Sequence, residues 1–175
     1  MQLYLADALG FAGTGIALGS YVARSHRVLC SSVAAGMVLL SAHFWLLGAF
    51  TAAWLCLFSA GRSFAAPAVS ELGKPYRLAA TAIGVACVLL LGTVTWQDWH
   101  SVLAILGTGL LVVFSFNLKD RRFRHSLLAV ECVFAANSVA IGSVPGLCLA
   151  LTGFALNALV LIRQRPSSSQ ATSAA

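Results

Sequence analysis

One acidic side chain, Glu131, lies inside a long apolar stretch of the sequence. The apolar pattern places it about one and a half turns into the sixth predicted helix. A lone carboxylate within a membrane costs about 2.5–3.5 kcal/mol on insertion scales, so such residues mark functional sites by default. Two interpretations stay open. Glu131 is either a proton, cation or substrate site, or a structural residue that pairs with Arg62 or is kept neutral by protonation.

Arg62 is the cation that accompanies this acid, near the inner end of the third predicted helix. Its side chain could form a structural ion pair or serve as a gate. It could also extend to the membrane surface, where its charged end would be hydrated.

Two further pairs of polar residues lie inside apolar stretches, and the members of each pair are 94 positions apart. His43 and Asn137 fall near the outer ends of their helices, and Ser63 and Asn157 toward the inner face. Together with Glu131 they are the predicted substrate-binding residues. The alternative is that each bonds a neighbouring helix, which is a common interhelical contact.

Other kinds of chemistry find no support in the sequence. No nucleophile–base arrangement, phosphate-binding loop or zinc-ligand spacing occurs. The five cysteines form no CxxC pair, and those within apolar runs are expected to act as small hydrophobes. We therefore expect no enzymatic activity, no metal and no cofactor.

Composition sets the environment of these residues. Hydrophobic residues make up 59% of the 175 and charged residues only 9%, against about 25% charged residues in soluble domains. Mean hydropathy is +0.89. A soluble globule of this size could not hide so much apolar surface, so the predicted partner is the lipid bilayer. The net charge of +6 is spread in short clusters, which argues against nucleic acid.

Seven apolar stretches are long enough, or nearly so, to cross about 30 Å of hydrocarbon as helices. Their approximate bounds are 3–23, 28–47, 49–66, 78–95, 101–118, 126–141 and 144–162. The third and the sixth are short, and their ends are the least well defined.

The basic residues alternate between loops in the way that the positive-inside rule describes. All of them fall on one side if the chain crosses seven times, with the N-terminus outside and the C-terminus in the cytoplasm. They are Arg24, Arg27, Arg62, Lys74, Arg77, Lys119, Arg121, Arg122, Arg124, Arg163 and Arg165.

A shift of 94 residues also aligns the sequence with itself without a gap, and Gly13-Thr14-Gly15 falls on Gly107-Thr108-Gly109. This repeat predicts an all-α membrane protein with two parallel three-helix bundles joined by a linker helix, a 3+1+3 plan. Residues 1–66 would form the first bundle, 67–96 an inner loop and linker helix, and 97–163 the second bundle. Residues 164–175 would be a disordered cytoplasmic tail.

The four glycines of the two triplets are predicted to be helix-packing residues, because small residues let helix backbones approach closely. They are Gly13, Gly15, Gly107 and Gly109.

The stretch His43-Phe44-Trp45-Leu46-Leu47-Gly48, with a third helix that ends in Arg62, resembles the bacterial inner-membrane YgjV family. That family is similar to the 3+1+3 group that includes SWEET sugar transporters, PQ-loop proteins and the KDEL receptor. The resemblance implies an inner-membrane location but no substrate. One departure is that the first helix of each repeat has Gly-Thr-Gly where the SWEET and PQ-loop proteins have a hinge proline.

These observations predict a facilitator or proton-coupled transporter of a small polar solute, moving through a path between the two bundles. A binding or sensing protein on the same fold, or a structural membrane subunit, are the alternatives. The sequence is compatible with a monomer and with a homo-oligomer.

Overall fold

The structure, a computed structural model, describes residues 2–19, 26–118 and 120–163. Within these ranges it is all-helical. The seven helices are α1 (Gln2–Gly19), α2 (His26–Leu46), α3 (Phe50–Glu71), α4 (Lys74–Val94), α5 (Ser101–Asn117), α6 (Asp120–Ile141) and α7 (Val144–Arg163). The predicted end of the first helix, the basic residues Arg24 and Lys119, and the predicted disordered tail lie outside the described residues.

Helix α3 is longer than predicted, and this changes the position of Arg62 within the helix. The helix continues through Pro67 to Glu71, so Arg62 lies about two and a half turns before its end. The predicted place near the inner end of the helix was wrong. A proline inside an apolar helix is tolerated when neighbouring groups compensate for its missing N–H.

Helix α6 is also longer, because the charged segment before Ser126 is its first part and not a loop. It begins at Asp120, so Glu131 lies about three turns from its start. The predicted depth of one and a half turns was therefore wrong, and the carboxylate sits near the middle of the helix.

The turns between α2 and α3 and between α6 and α7 have the same conformation. Gly48 and Gly142, which are 94 positions apart, have φ angles of 77° and 76°, a left-handed conformation that glycine adopts at little cost. In one turn Ala49 N–H donates to Phe44 O, and in the other Ser143 N–H donates to Ser138 O. Both follow the Schellman pattern that ends many helices.

The helices pack mostly with their sequence neighbours. Helix α2 lies between α1 and α3, and α6 lies between α5 and α7. These two groups meet where α3 contacts α5 and where α1 contacts α7. Helix α4 packs on α3 and α5 through a narrow face made of Gly84, Val88 and Gly92.

The outer surface of this assembly is apolar. Ile83 and Leu90 on α4 are 65% and 64% exposed, and Val139 on α6 is 65% exposed. Soluble monomers rarely expose such continuous apolar surface. Three helices are long and apolar enough to cross a membrane, and three more apolar helices among the described residues are shorter. The fold is therefore that of a helical membrane protein.

The glycine triplets contribute one packing residue each. A Cβ on Gly13 would lie 2.8 Å from Gly36 O, and a Cβ on Gly107 would lie 2.6 Å from Phe134 Cε1. At Gly15 and Gly109 no described atom of a neighbouring helix lies within 4 Å of the Cβ position. The predicted packing role does not extend to these two, because helical geometry turns the third residue of each triplet away from the contact that the first one makes.

Candidate functional site

A cavity of about 100 Å³ lies at the centre of the described structure, between α2, α3, α5, α6 and α7. Six pairs of its lining residues are separated by 94 positions, so both repeats supply the same surfaces. The pairs are Met37 and Glu131, Leu40 and Phe134, Phe44 and Ser138, Ala52 and Gly146, Leu55 and Leu149, and Cys56 and Ala150. No residue of α1 lines it, whereas Ala104, Thr108 and Leu111 of α5 do.

Four of the six polar residues singled out from the sequence line this cavity. They are Arg62, Ser63, Glu131 and Asn137. Three polar residues that the sequence did not single out join them: Ser59, Thr108 and Ser138. Two of these are close in sequence to residues that the sequence did single out: Ser138 directly follows Asn137, and Ser59 lies one turn before Ser63. The Ser63 hydroxyl donates to Ser59 O at 2.8 Å.

Asn137 has a buried polar atom without a partner among the described residues. Its side chain is 4% exposed, and its Oδ1 has no hydrogen-bond partner within the described part of the chain. Leaving a buried polar group unpaired costs about 1–3 kcal/mol. An unpaired amide oxygen in a cavity wall is therefore suited to accept a hydrogen bond from a bound molecule.

The carboxylate of Glu131 lies against α7 at Gly153, in the space that a Cβ would occupy. A Cβ on Gly153 would be 2.6 Å from Glu131 Oε1 and 2.9 Å from its carboxyl carbon. The matching residue on α2 is Met37, so the cavity holds one carboxylate and not a symmetric pair. Any side chain at position 153 would push this carboxylate from its place.

Arg62 lines the cavity from α3, whereas Glu131 lines it from α6. Its Nε is buried and has no hydrogen-bond partner among the described residues. Nor does any ion pair join Arg62 to Glu131 in the ranges that the structure covers. The two opposite charges thus line one cavity without neutralising each other.

Two predicted site residues lie elsewhere. His43 is fully buried between α1 and α7, where Nδ1–H donates to Ala6 O at 2.7 Å. A second hydrogen bond of 2.8 Å joins its Nε2 to Ser143 Oγ. Ser143 Oγ in turn accepts from Gly146 N–H at 3.1 Å, which completes a satisfied network.

Asn157 also lies outside the cavity lining. Its Nδ2 donates to Gly153 O at 2.9 Å, and its Oδ1 accepts from Arg124 Nη1 at 3.2 Å. The first bond lies within α7, and the second joins α6 to α7. In this structure His43 and Asn157 bond to neighbouring helices, which is the alternative that the sequence left open for them.

The comparisons with known proteins agree with this membrane architecture. A family model described as Imp-YgjV, bacterial inner membrane protein, matches residues 4–167, which is nearly the whole chain. The comparisons with curated proteins and with solved structures gave no match. The chain therefore belongs to the YgjV family of bacterial inner membrane proteins and resides in that membrane.

Proposed function

We propose that this protein carries a small polar solute across the inner membrane, by facilitated or proton-coupled passage, through the cavity between its two helix groups. The observation behind this proposal is the set of unpaired polar groups around one small central cavity. Polar residues at membrane depth are costly and usually line a substrate or ion path. The same cavity offers no nucleophile–base arrangement, so we infer a carrier and not an enzyme.

The proposed architecture is 3+1+3, with α1–α3 and α5–α7 as parallel bundles and α4 as the linker. Three features support it. The matching turns at Gly48 and Gly142 share one conformation, the α3–α5 and α7–α1 contacts occupy corresponding places, and six related pairs line the cavity. Substrate sites of repeat transporters lie at such repeat interfaces, near the bilayer midplane. The resemblance to SWEET and PQ-loop proteins remains a prediction.

The proposed topology has seven crossings with the N-terminus outside. Alkaline phosphatase fused after Gly48, Asp98 or Ser143 should be active, because these positions would face the periplasm. Green fluorescent protein fused after Arg27, Lys74 or Arg122 should fluoresce, because these would face the cytoplasm. One reversed loop would be enough to exclude the seven-crossing arrangement.

Transport itself is tested with purified protein in liposomes that contain the pH dye pyranine. We expect saturable uptake of at least one solute from a panel of labelled glycine, alanine, glucose, glycerol and urea. Glu131→Gln should abolish uptake or uncouple it from acidification, because the cavity has one carboxylate to carry a proton or contact the solute. Gly153→Ala, which keeps the charge but displaces the carboxylate, should lower uptake at least tenfold.

Glu71→Gln is the matched control, since Glu71 is exposed at the end of α3 and its variant should transport normally. Saturable binding without uptake would replace transport by a binding or sensing function. If the folded protein shows neither saturable binding nor uptake, a structural subunit would be favoured. If Glu131→Gln and Arg62→Gln each destabilise the protein and the double variant recovers, Glu131 is a brace.

A further inference from the structure

We propose that the solute is a small zwitterion, with its carboxylate bound by Arg62 and its ammonium group bound by Glu131. This inference rests on the proposed function and names the substrate class of the same cavity. Its starting point is that one cavity is lined by a single guanidinium and a single carboxylate, on α3 and α6, with no ion pair between them in the described chain.

The two charges lie at a similar depth. The turns that join α2 to α3 and α6 to α7 are at the same end of the molecule, because Ser143 bonds to His43. Arg62 is twelve residues from the start of α3 at that end, and Glu131 is ten residues from the end of α6. At 1.5 Å per residue the two positions differ in depth by about 3 Å. One small molecule can therefore reach both from between the helices.

Charge pairing then selects the ligand. A charge in a poorly hydrated site is costly unless it is paired and hydrogen-bonded. A carboxylate alone would pair Arg62 and leave Glu131 unpaired, and an amine alone would do the reverse. A neutral solute would pair neither charge. With both side chains ionised, a molecule that carries both charges close together satisfies the two at once.

The remaining lining limits the size of this molecule. Met37, Leu55, Leu111 and Phe134 give the cavity largely apolar walls, and its volume is about 100 Å³. Such walls favour a solute whose side chain is a hydrogen atom or a short aliphatic group over one with a polar or charged side chain. Glycine and the small aliphatic amino acids have the matching chemistry.

The experiment measures binding by thermal shift and calorimetry on the purified full-length protein. The zwitterions are glycine, alanine and valine, and the isosteres of alanine are ethylamine, propionate and lactamide. We expect saturable binding of at least one zwitterion, with each isostere at least tenfold weaker than alanine. Equal binding of alanine and any isostere would overturn the proposal.

The variants assign the two charges. Arg62→Gln should lower the affinity for alanine to that for ethylamine and leave the affinity for ethylamine unchanged. Glu131→Gln should lower the affinity for alanine to that for propionate and leave the affinity for propionate unchanged. Arg77→Gln is the matched control for arginine, because Arg77 also has a buried Nε without a partner in the described ranges but does not line the cavity. Its alanine affinity should not change. If Arg62→Gln unfolds, Arg62→Lys takes its place: because it keeps the positive charge, alanine should still bind at least tenfold more tightly than ethylamine, and equal binding of the two would contradict the role of Arg62.

The outcomes separate this inference from the proposed function. Uptake of glucose, glycerol or urea, with no zwitterion bound, would overturn the zwitterion and leave transport standing. Binding of alanine with the expected variant pattern but without uptake would support the zwitterion and overturn transport. Equal loss of all ligands in Arg62→Gln, with an unchanged unfolding temperature, would contradict the assigned role of Arg62.

Discussion

His43→Ala should lower the free energy of unfolding by roughly 3–5 kcal/mol, which would make it among the most damaging single truncations in the chain. The ring is fully buried and bonds to α1 through Ala6 O and to the residue just before α7 through Ser143 Oγ. Truncation leaves a cavity and unpairs both groups, and large-to-small changes in cores cost about 2–5 kcal/mol while buried unpaired groups cost about 1–3 kcal/mol. Thermal unfolding in a mild detergent measures the loss.

Two further variants give the expected order. Ser143→Ala removes one bond to His43 and the acceptor for Gly146 N–H, so its cost should be smaller, about 1–2 kcal/mol. His125→Ala should be neutral, because His125 is exposed on α6. A loss below 1 kcal/mol for His43→Ala would show that the α1–α7 contact does not depend on this network.

Gly13→Ala should separate α1 from α2 and lower the free energy of unfolding by about 2–3 kcal/mol. The added Cβ would lie 2.8 Å from Gly36 O, 3.0 Å from Leu39 Cβ and 3.1 Å from Leu40 N. Two of these atoms belong to the backbone of α2, which cannot move without the whole helix. Overpacking of this kind costs about 1–3 kcal/mol, and glycine is favoured where membrane helices approach closely.

Gly15→Ala provides the control from the same triplet. No described atom of a neighbouring helix lies within 4 Å of its Cβ position, and alanine is a better helix former than glycine by up to about 1 kcal/mol. This variant should be neutral or slightly more stable. Equal destabilisation by Gly13→Ala and Gly15→Ala would mean that backbone entropy, and not the α1–α2 contact, determines the effect.

The existence of seven helices could be read from the sequence, whereas two of their boundaries could not. Pro67 reads as a helix end, because its ring removes a backbone donor, yet α3 continues to Glu71. The charged segment before Ser126 reads as a loop, yet it is the first part of α6. Hydropathy marks where a helix leaves the apolar region and not where its hydrogen bonding ends, so helices that extend into water look too short.

The candidate site was predictable in its residues more than in its geometry. Inspection for polar residues in apolar runs found Glu131, Arg62, Ser63 and Asn137, all of which line the cavity. It missed Thr108, which lies between the two glycines of a predicted packing triplet. Serine and threonine are common in membrane helices, so only the structure separates those that line a cavity from those that do not.

Side-chain direction was the main feature that the sequence could not supply. His43 and Asn137 occupy matching positions in the repeat, but His43 bonds to Ala6 and Ser143 while Asn137 Oδ1 has no partner. Ser63 lines the cavity, whereas its match Asn157 bonds to Gly153 and Arg124. A repeat predicts which backbones correspond, but the partners of each side chain depend on what the other half has at that position.

The matching turns at Gly48 and Gly142 have a consequence for how the chain is inserted during its synthesis. Neither turn, nor the residues beside it, carries a charged side chain. In the proposed orientation, the turns of the α2–α3 and α6–α7 hairpins can therefore cross the lipid without moving a charged side chain through the hydrocarbon. Among the described residues at the proposed outer face, Asp7 and Asp98 are the Asp, Glu, Lys or Arg side chains that would have to be translocated. Acidic residues contribute little to the orientation of membrane proteins. The basic inner segments would therefore remain in the cytoplasm and set the orientation of each hairpin during synthesis.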